Sequence, residues 1–283
     1  MNLKTSIYQG LPVALLTQHG KQDLIRPILE VALGCRLVHT DGYDTDLLGT
    51  FTRDVARPGS QLDACRHKAR LGMALTGTTL GMASEGAFGP DPYTGWMEWD
   101  TEVLLWVDAK HGLEVIGMAQ GPAQSLHRLV RTTEELMQFA AEALFPEHHL
   151  VLRPDHSEHP DLYKDLSNVN SLLRAFHAAR AASTCDRVFV ENDLRAYCNP
   201  TRQDIIRKAA ENLVQKLSSV CPHCQAPGYG ITRKVLGLRC KACGHPTRLS
   251  VADIWQCAVC AHQEHRDTAY GWADPGQCDR CNP

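Results

Sequence analysis

The sequence predicts an α/β domain with a mixed sheet and flanking helices, followed by a small zinc-ribbon tail with two four-cysteine sites. Three observations carry this. Short apolar runs such as Pro12–Leu16 and Leu80–Ala83 alternate with stretches whose apolar residues recur at helical spacing. Four Cys-x-x-Cys pairs stand after residue 220 and none before it. The chain has 283 residues, more than one typical domain, and enough to bury a sizeable core. The expected division is 1–217 for the α/β domain and 218–283 for the tail.

Pro12–Leu16 reads as a first strand, ending in Thr17-Gln-His-Gly-Lys21. A helix follows, with Leu24, Ile25, Ile28, Leu29 and Ala32 on one face; Pro27 belongs in its first turn or marks a kink. Gly34 ends that helix, and Cys35–His39 is a second strand, so the chain opens as a βαβ unit. The polar loop from Asp41 holds Asp44 and Asp46. It is not an EF-hand, because Leu48 and Val55 stand where oxygen ligands are needed.

Ser60 caps a helix running to about Leu75, whose basic side carries Arg66, Lys68 and Arg70. Leu80–Ala83 is a buried strand that delivers Ser84, Glu85 and Gly86 to a glycine- and proline-rich loop. Thr101–Val107 and Leu113–Ala119 form a hairpin turning at Gly112, with Asp100 and Glu102 at its entrance. Further along come a helix at Glu134–Leu144, a short strand at Leu150–Leu152, a helix at Asn168–Ala182 and a strand at Arg187–Val190. His148, His149, His156 and His159 surround the short strand, but Pro154 and Pro160 argue for a solvated loop over a metal site. Thr201-Arg-Gln-Asp204 offers a capping box for the last helix, which leads directly to Cys221 and so fixes the tail to the domain.

Composition excludes several classes. The net charge is −3, which gives no electrostatic case for a nucleic-acid or membrane partner. Leu11–Leu16 is too short for a signal peptide, and no apolar run reaches the roughly 18–20 residues that cross a bilayer. The expected location is cytoplasmic, where paired cysteines stay reduced. Cys35, Cys65, Cys185 and Cys198 are scattered singly and read as core residues.

Cys221-x2-Cys224 and Cys240-x2-Cys243 are separated by fifteen residues, Cys257-x2-Cys260 and Cys278-x2-Cys281 by seventeen. Each pair can place two thiolates on one ion, and two pairs complete a tetrahedron with no position left for water. Two structural zinc ions are expected, and metal binding supplies the folding energy of so small a segment. Sequential pairing is the simplest arrangement; interleaved pairing has compatible spacing. The tail carries seven Lys and Arg against five Asp and Glu, and four thiolates on each zinc turn it net negative. Strong DNA binding is therefore not expected, and a protein contact suits it better.

Elsewhere the catalytic templates fail. Gly81-Met-Ala-Ser84-Glu-Gly86 has one residue too many for a nucleophile elbow, and neither a Walker loop nor a dinucleotide fingerprint is present. What remains is a set of acids (Asp44, Asp46, Glu85, Asp100, Glu102) and bases (Lys21, Lys68, Arg57) on loops between strands. Clustered carboxylates suit Mg²⁺, which completes its shell with water and substrate phosphates, and lysines bind phosphate oxygens. Glu85, Asp46, Asp44 and Lys21 are the catalytic candidates, with Glu85 and Asp46 on the metal. Lys68, Ser84, Gly86, Arg195 and Arg202 are the substrate-binding candidates.

Two resemblances bear on this. Thr17-x-His19-Gly-Lys21, Asp44-Thr-Asp46-x-x-Gly49-Thr-Phe-Thr52, Ala83-Ser-Glu-Gly-x-Phe-Gly-Pro90, Asn199-Pro-Thr-Arg202 and Cys278-Asp-Arg-Cys-Asn-Pro283 are similar to an uncharacterised bacterial family, domain of unknown function 6671. The resemblance covers almost the whole chain and departs from the family at Arg53, Asp91 and Asp165; it implies no activity. Over the first third, the order Thr17 to Lys21, Thr50-Phe51, Lys68-Ala69, Ser84-Glu85-Gly86 resembles the inosine triphosphate pyrophosphatases. Here the first loop is one residue shorter, and the acidic turn has one carboxylate where theirs has two. The expected function is Mg²⁺-dependent hydrolysis of a nucleotide or another phosphorylated small molecule. The alternative is a non-enzymatic zinc-ribbon adaptor that binds protein or nucleic acid.

Overall fold

The computed structural model describes residues 6–17, 20–43, 59–268 and 271–283. They form two compact units, one taking in the chain to Asp108 together with Ile116–Val214, the other Ala109–Val115 together with Gln215–Pro283.

The first sheet consists of β1 (Pro12–Leu16), β2 (Arg36–Thr40), β3 (Leu80–Pro90), β4 (Glu98–Asp108) and β5 (Leu113–Pro122), in the order β2-β1-β3-β4-β5. Strand β1 is parallel to both β2 and β3, whereas β3 and β4 are antiparallel. Helix α1 (Lys21–Leu33) joins β1 to β2, and α2 (Gln61–Thr76) returns past β1 to β3. Right-handed crossovers in opposite directions put these two helices on opposite faces. The position beyond the end of β1, between the two crossovers, is the switch point where open α/β sheets bind ligands.

A second sheet, entirely antiparallel, holds β6 (His127–Val130), β9 (Val188–Asn192), β7 (Leu150–Pro154) and β8 (Tyr163–Leu166), in that order. Helices α3 (Thr133–Glu142) and α4 (Val169–Ala182) cover it through Leu136, Phe139, Leu172 and Phe176. Helix α5 (Pro200–Ser218) packs on β5, where a side chain at Gly117 would collide with Leu213 and the Ala209 carbonyl. The tail forms a three-stranded sheet of β10 (Gly230–Leu236), β11 (Ser250–Gln256) and β12 (Gln263–Asp267).

Two local expectations are corrected. Pro27 is the seventh residue of α1, so this helix runs through it, with no proline N–H to bond the Asp23 carbonyl. The cap of α5 is Asn199, whose Oδ1 accepts from the Arg202 N–H at 3.0 Å; Pro200 then occupies the first helical position, where its fixed φ fits. Thr201 is thereby released to bond His148 Nε2 at 3.0 Å.

The largest correction concerns β3. It does not end at Ala83 but runs on through Ser84, Glu85 and Gly86 to Pro90, in unbroken register with all eleven residues of β4. Glu85, Asp100 and Glu102 are therefore buried strand residues and not loop residues. Gly86 resides in a ladder because a partner needs the room: a Cβ there would meet Glu102 Oε1 and Arg202 Nη2, whereas Gly89 has open space beside it. The turn comes later, at Asp91. Its carboxylate accepts from the backbone N–H groups of Tyr93, Thr94, Trp96 and Met97 and from the Thr94 hydroxyl.

Candidate functional site

Where β1 ends at Leu16, β3 continues past it. Gly20 lies in the left-handed region (φ 75°) at the N-cap of α1 and gives no side-chain cap; the Asp23 N–H bonds the Gly20 carbonyl at 3.2 Å, and the Lys21 and Gln22 N–H groups stand before it at the helix start, where anions bind. Lys21, the next residue, turns back over the sheet. Its ammonium donates to the Ser84 carbonyl at 3.2 Å and the Ser84 hydroxyl at 3.3 Å, and stands 3.7 Å from Glu102 Oε2. Burial lowers the pKa of Lys21, with Glu102 opposing that shift.

Strand alternation then sorts the candidates. Ser84 and Gly86 share one face with Glu102 and Asp100, because Gly86 pairs with Glu102 and Phe88 with Asp100. On that face Arg202 Nε donates to Glu102 Oε1 at 2.6 Å and its guanidinium lies 5.6 Å from the Phe88 ring centroid; Arg202 also donates to the Leu194 carbonyl. Glu85 points the other way, toward α2, and is ion-paired with Lys68 beside the cluster of Cys65, Ala69, Ala83 and Val103. Gln61, at the start of α2, donates to the Glu85 and Thr101 carbonyls at 2.7 and 2.8 Å. Burial pushes the neighbouring Cys65 thiol up to about 12, so it is a core group.

Lys21, Lys68, Ser84, Glu85, Gly86 and Arg202 thus meet at one corner, divided between two faces of β3. Arg195 stands apart from them. It is held by Asp193 and lies 5.0 Å from the Tyr197 ring centroid, and Tyr197 packs against the Gly20 turn. Asp44, Asp46 and Arg57 lie outside the described residues. The four histidines do not converge: His148 bonds Thr201, His149 pairs with Asp165 at 2.7 Å, and His156 stacks edge-on against His159. Of the single cysteines, Cys185 is exposed and the other three are buried.

Asp100 is the residue whose weight only the structure reveals. It is 1% exposed, and neither carboxylate oxygen has a hydrogen-bond partner among the described residues. Burial, reinforced by the charge of Glu102, raises its pKa to about 7. A signal was present in the sequence: acids two apart in a strand share a face, as Asp100 and Glu102 do.

In the tail the cysteines gather as Cys221, Cys224, Cys257 and Cys260, and as Cys240, Cys243, Cys278 and Cys281. The pairing is interleaved, which overturns the sequential reading. The antiparallel turn from β10 to β11 returns the third pair beside the first, as Gly230 opposes Gln256. The cross-pair Sγ···Sγ separations of 3.6–3.8 Å are far beyond a disulfide bond. They match the edge, about 3.8 Å, of a tetrahedron whose metal–sulfur bonds are about 2.3 Å. Hydrogen bonding from the Cys243 backbone, against burial, brings Cys240 down to about 7, toward the thiolate a metal requires.

Among the described residues no helix is long and apolar enough to cross a membrane. A family model for a domain of unknown function (DUF6671) matches residues 68–283, well over half of the chain. No curated protein matches it.

Proposed function

The chain belongs to the DUF6671 family, and from the corner beyond β1 we propose that its first unit hydrolyses a phosphorylated small molecule, a nucleotide in the first instance. The observation that carries this is the convergence of Lys21 and Lys68 on adjacent residues of β3 from opposite faces, beside the uncapped start of α1. Two cations and a helix N-terminus around a strand edge form an anion site. Lys21, Lys68 and Ser84-Glu85-Gly86, three of the segments whose order resembles the inosine triphosphate pyrophosphatases, meet at the same corner and support a nucleotide.

In this reading Lys21, Lys68 and the first N–H groups of α1 hold the phosphate oxygens. The Ser84 hydroxyl and Arg202 orient them, and Gly86 keeps the approach open. Water adds to phosphorus and releases a proton to solvent, the phosphoanhydride bond breaks, and its electron pair leaves with the departing phosphate. Asp44 and Asp46, with Arg195 at the rim, are proposed to complete the site. Glu85 does not fit the metal role expected of it, because its carboxylate is engaged by Lys68, which it holds in position.

The eight tail cysteines are proposed to bind two zinc ions. All four positions of each site would be filled by protein, which makes the sites structural, and thiolate ligands suit a reducing, cytoplasmic setting. A second reading, an adaptor that docks a protein through the tail, draws on its exposed Ile231, Leu236 and Trp272.

The test is turnover of a nucleotide panel with Mg²⁺ by wild-type protein, Lys21→Ala and Lys68→Ala. Hydrolysis by the wild type, with KM raised in both variants, supports the enzyme. A wild-type protein that neither hydrolyses nor binds any phosphorylated compound leaves the adaptor.

A further inference from the structure

We propose that Asp100 and Glu102 form a divalent-cation site of the oxygen-ligand class, for Mg²⁺ or Mn²⁺, on the face of β4 shared with Lys21 and Arg202. Both acids reside in β4 two residues apart, so their side chains leave the same face about 6.5 Å apart along the strand. That spacing lets an aspartate and a longer glutamate converge on one ion with bonds of about 2.1 Å.

Their partners are unequal. Glu102 Oε1 is taken by Arg202, while among the described residues Oε2 has no hydrogen bond and stands 3.7 Å from the Lys21 ammonium. Asp100 has neither oxygen partnered among the described residues and is almost entirely buried. Three carboxylate oxygens on one face are thus out of water without a hydrogen-bond donor. An unpaired buried charge costs several kcal/mol, and folds that retain one pair it or place it on a metal. Lys21 and Arg202 act on Asp100 through space but neither donates a hydrogen bond to it, so its carboxylate is neutralised by a proton or by a metal ion that displaces that proton.

The donor set selects the ion. Carboxylate oxygens without nitrogen or sulfur suit hard cations, and Mg²⁺ typically takes one or two carboxylates and fills its shell with water and phosphate. Two carboxylates balance Lys21 and Arg202 in charge, so a divalent ion leaves the face positive. This rests on the phosphate reading above, since that excess is what a phosphate neutralises; the ion and inorganic phosphate should therefore bind cooperatively.

The experiment is a titration of the full-length chain, purified without chelator, with Mn²⁺ alone, reading free Mn²⁺ by electron paramagnetic resonance. One Mn²⁺ per chain is expected, with affinity lowered at least about tenfold in Asp100→Asn. The surface variant Glu142→Gln should bind as the wild type does. Because Asp100→Asn could fail to fold, wild-type protein is also loaded with Fe²⁺ and treated with ascorbate and peroxide; backbone cuts near Asp100 and Gly86 are expected. No bound Mn²⁺, unchanged affinity in Asp100→Asn, or cuts only elsewhere would overturn the site. The titration needs no turnover. Mn²⁺ bound at Asp100 without hydrolysis upholds this site and rejects only the hydrolase, whereas wild-type turnover by Asp100→Asn rejects only this site.

Discussion

Glu102 and Arg202 are a hundred residues apart in sequence and 2.6 Å apart in the fold, and their side chains are 0% and 1% exposed. The pair ties the middle of β4 to the first turn of α5 and occupies the space left by Gly86 on β3.

Removing one partner of such a pair leaves the other charged and buried. Arg202→Ala should therefore lower stability by about 3–5 kcal/mol. Urea unfolding followed by circular dichroism measures this, and a loss under about 1 kcal/mol would show that the pair contributes no more than a surface ion pair.

Glu85 and Lys68 form a second buried pair, on the opposite face of the sheet. Glu85→Gln, harmless at an exposed strand end, should here cost about 3 kcal/mol. The double variant Glu85→Leu/Lys68→Met should recover much of that loss, because it removes both charges. Additive losses in the double-mutant cycle would show that the two side chains act independently.

Interleaved cysteines predict which double variants spare a metal. Cys224→Ala/Cys257→Ala removes ligands from one site only and should leave one metal per chain; Cys224→Ala/Cys240→Ala damages both sites. Native mass spectrometry reads the count directly. One metal retained by the second variant and none by the first would restore sequential pairing.

Acid should loosen the β3–β4 turn. Hydrogen bonds from the Thr94 side chain and backbone, then from Met97, hold the Asp91 carboxyl well below its usual range. A carboxyl depressed on folding contributes stability that is complete above its unfolded value of about 3.9 and is lost as pH falls through the folded value. Wild type should melt above Asp91→Ala at neutral pH, and the gap should close only below about pH 4. A gap that is constant down to pH 2 would assign the effect to packing alone.

The sequence by itself determined what depends on neighbours in the chain. Helical spacing located α1, α2 and α4; short apolar runs located β1, β2 and the start of β3. Cys-x-x-Cys spacing marked all eight cysteines of the two tail clusters, since a knuckle is built from four consecutive residues. Glycine after Glu85 was read as a loop, because locally a glycine looks the same whether it makes a turn or yields space to a distant side chain. Only the tertiary structure supplied Arg202 as the occupant of that space, and so kept β3 a strand through Gly86. The same holds for which cysteine pairs gather in one cluster, which face Glu85 takes, and whether Asp100 is in water. Each depends on contacts between residues far apart in sequence, and periodicity carries the alternation of faces but not what each face meets.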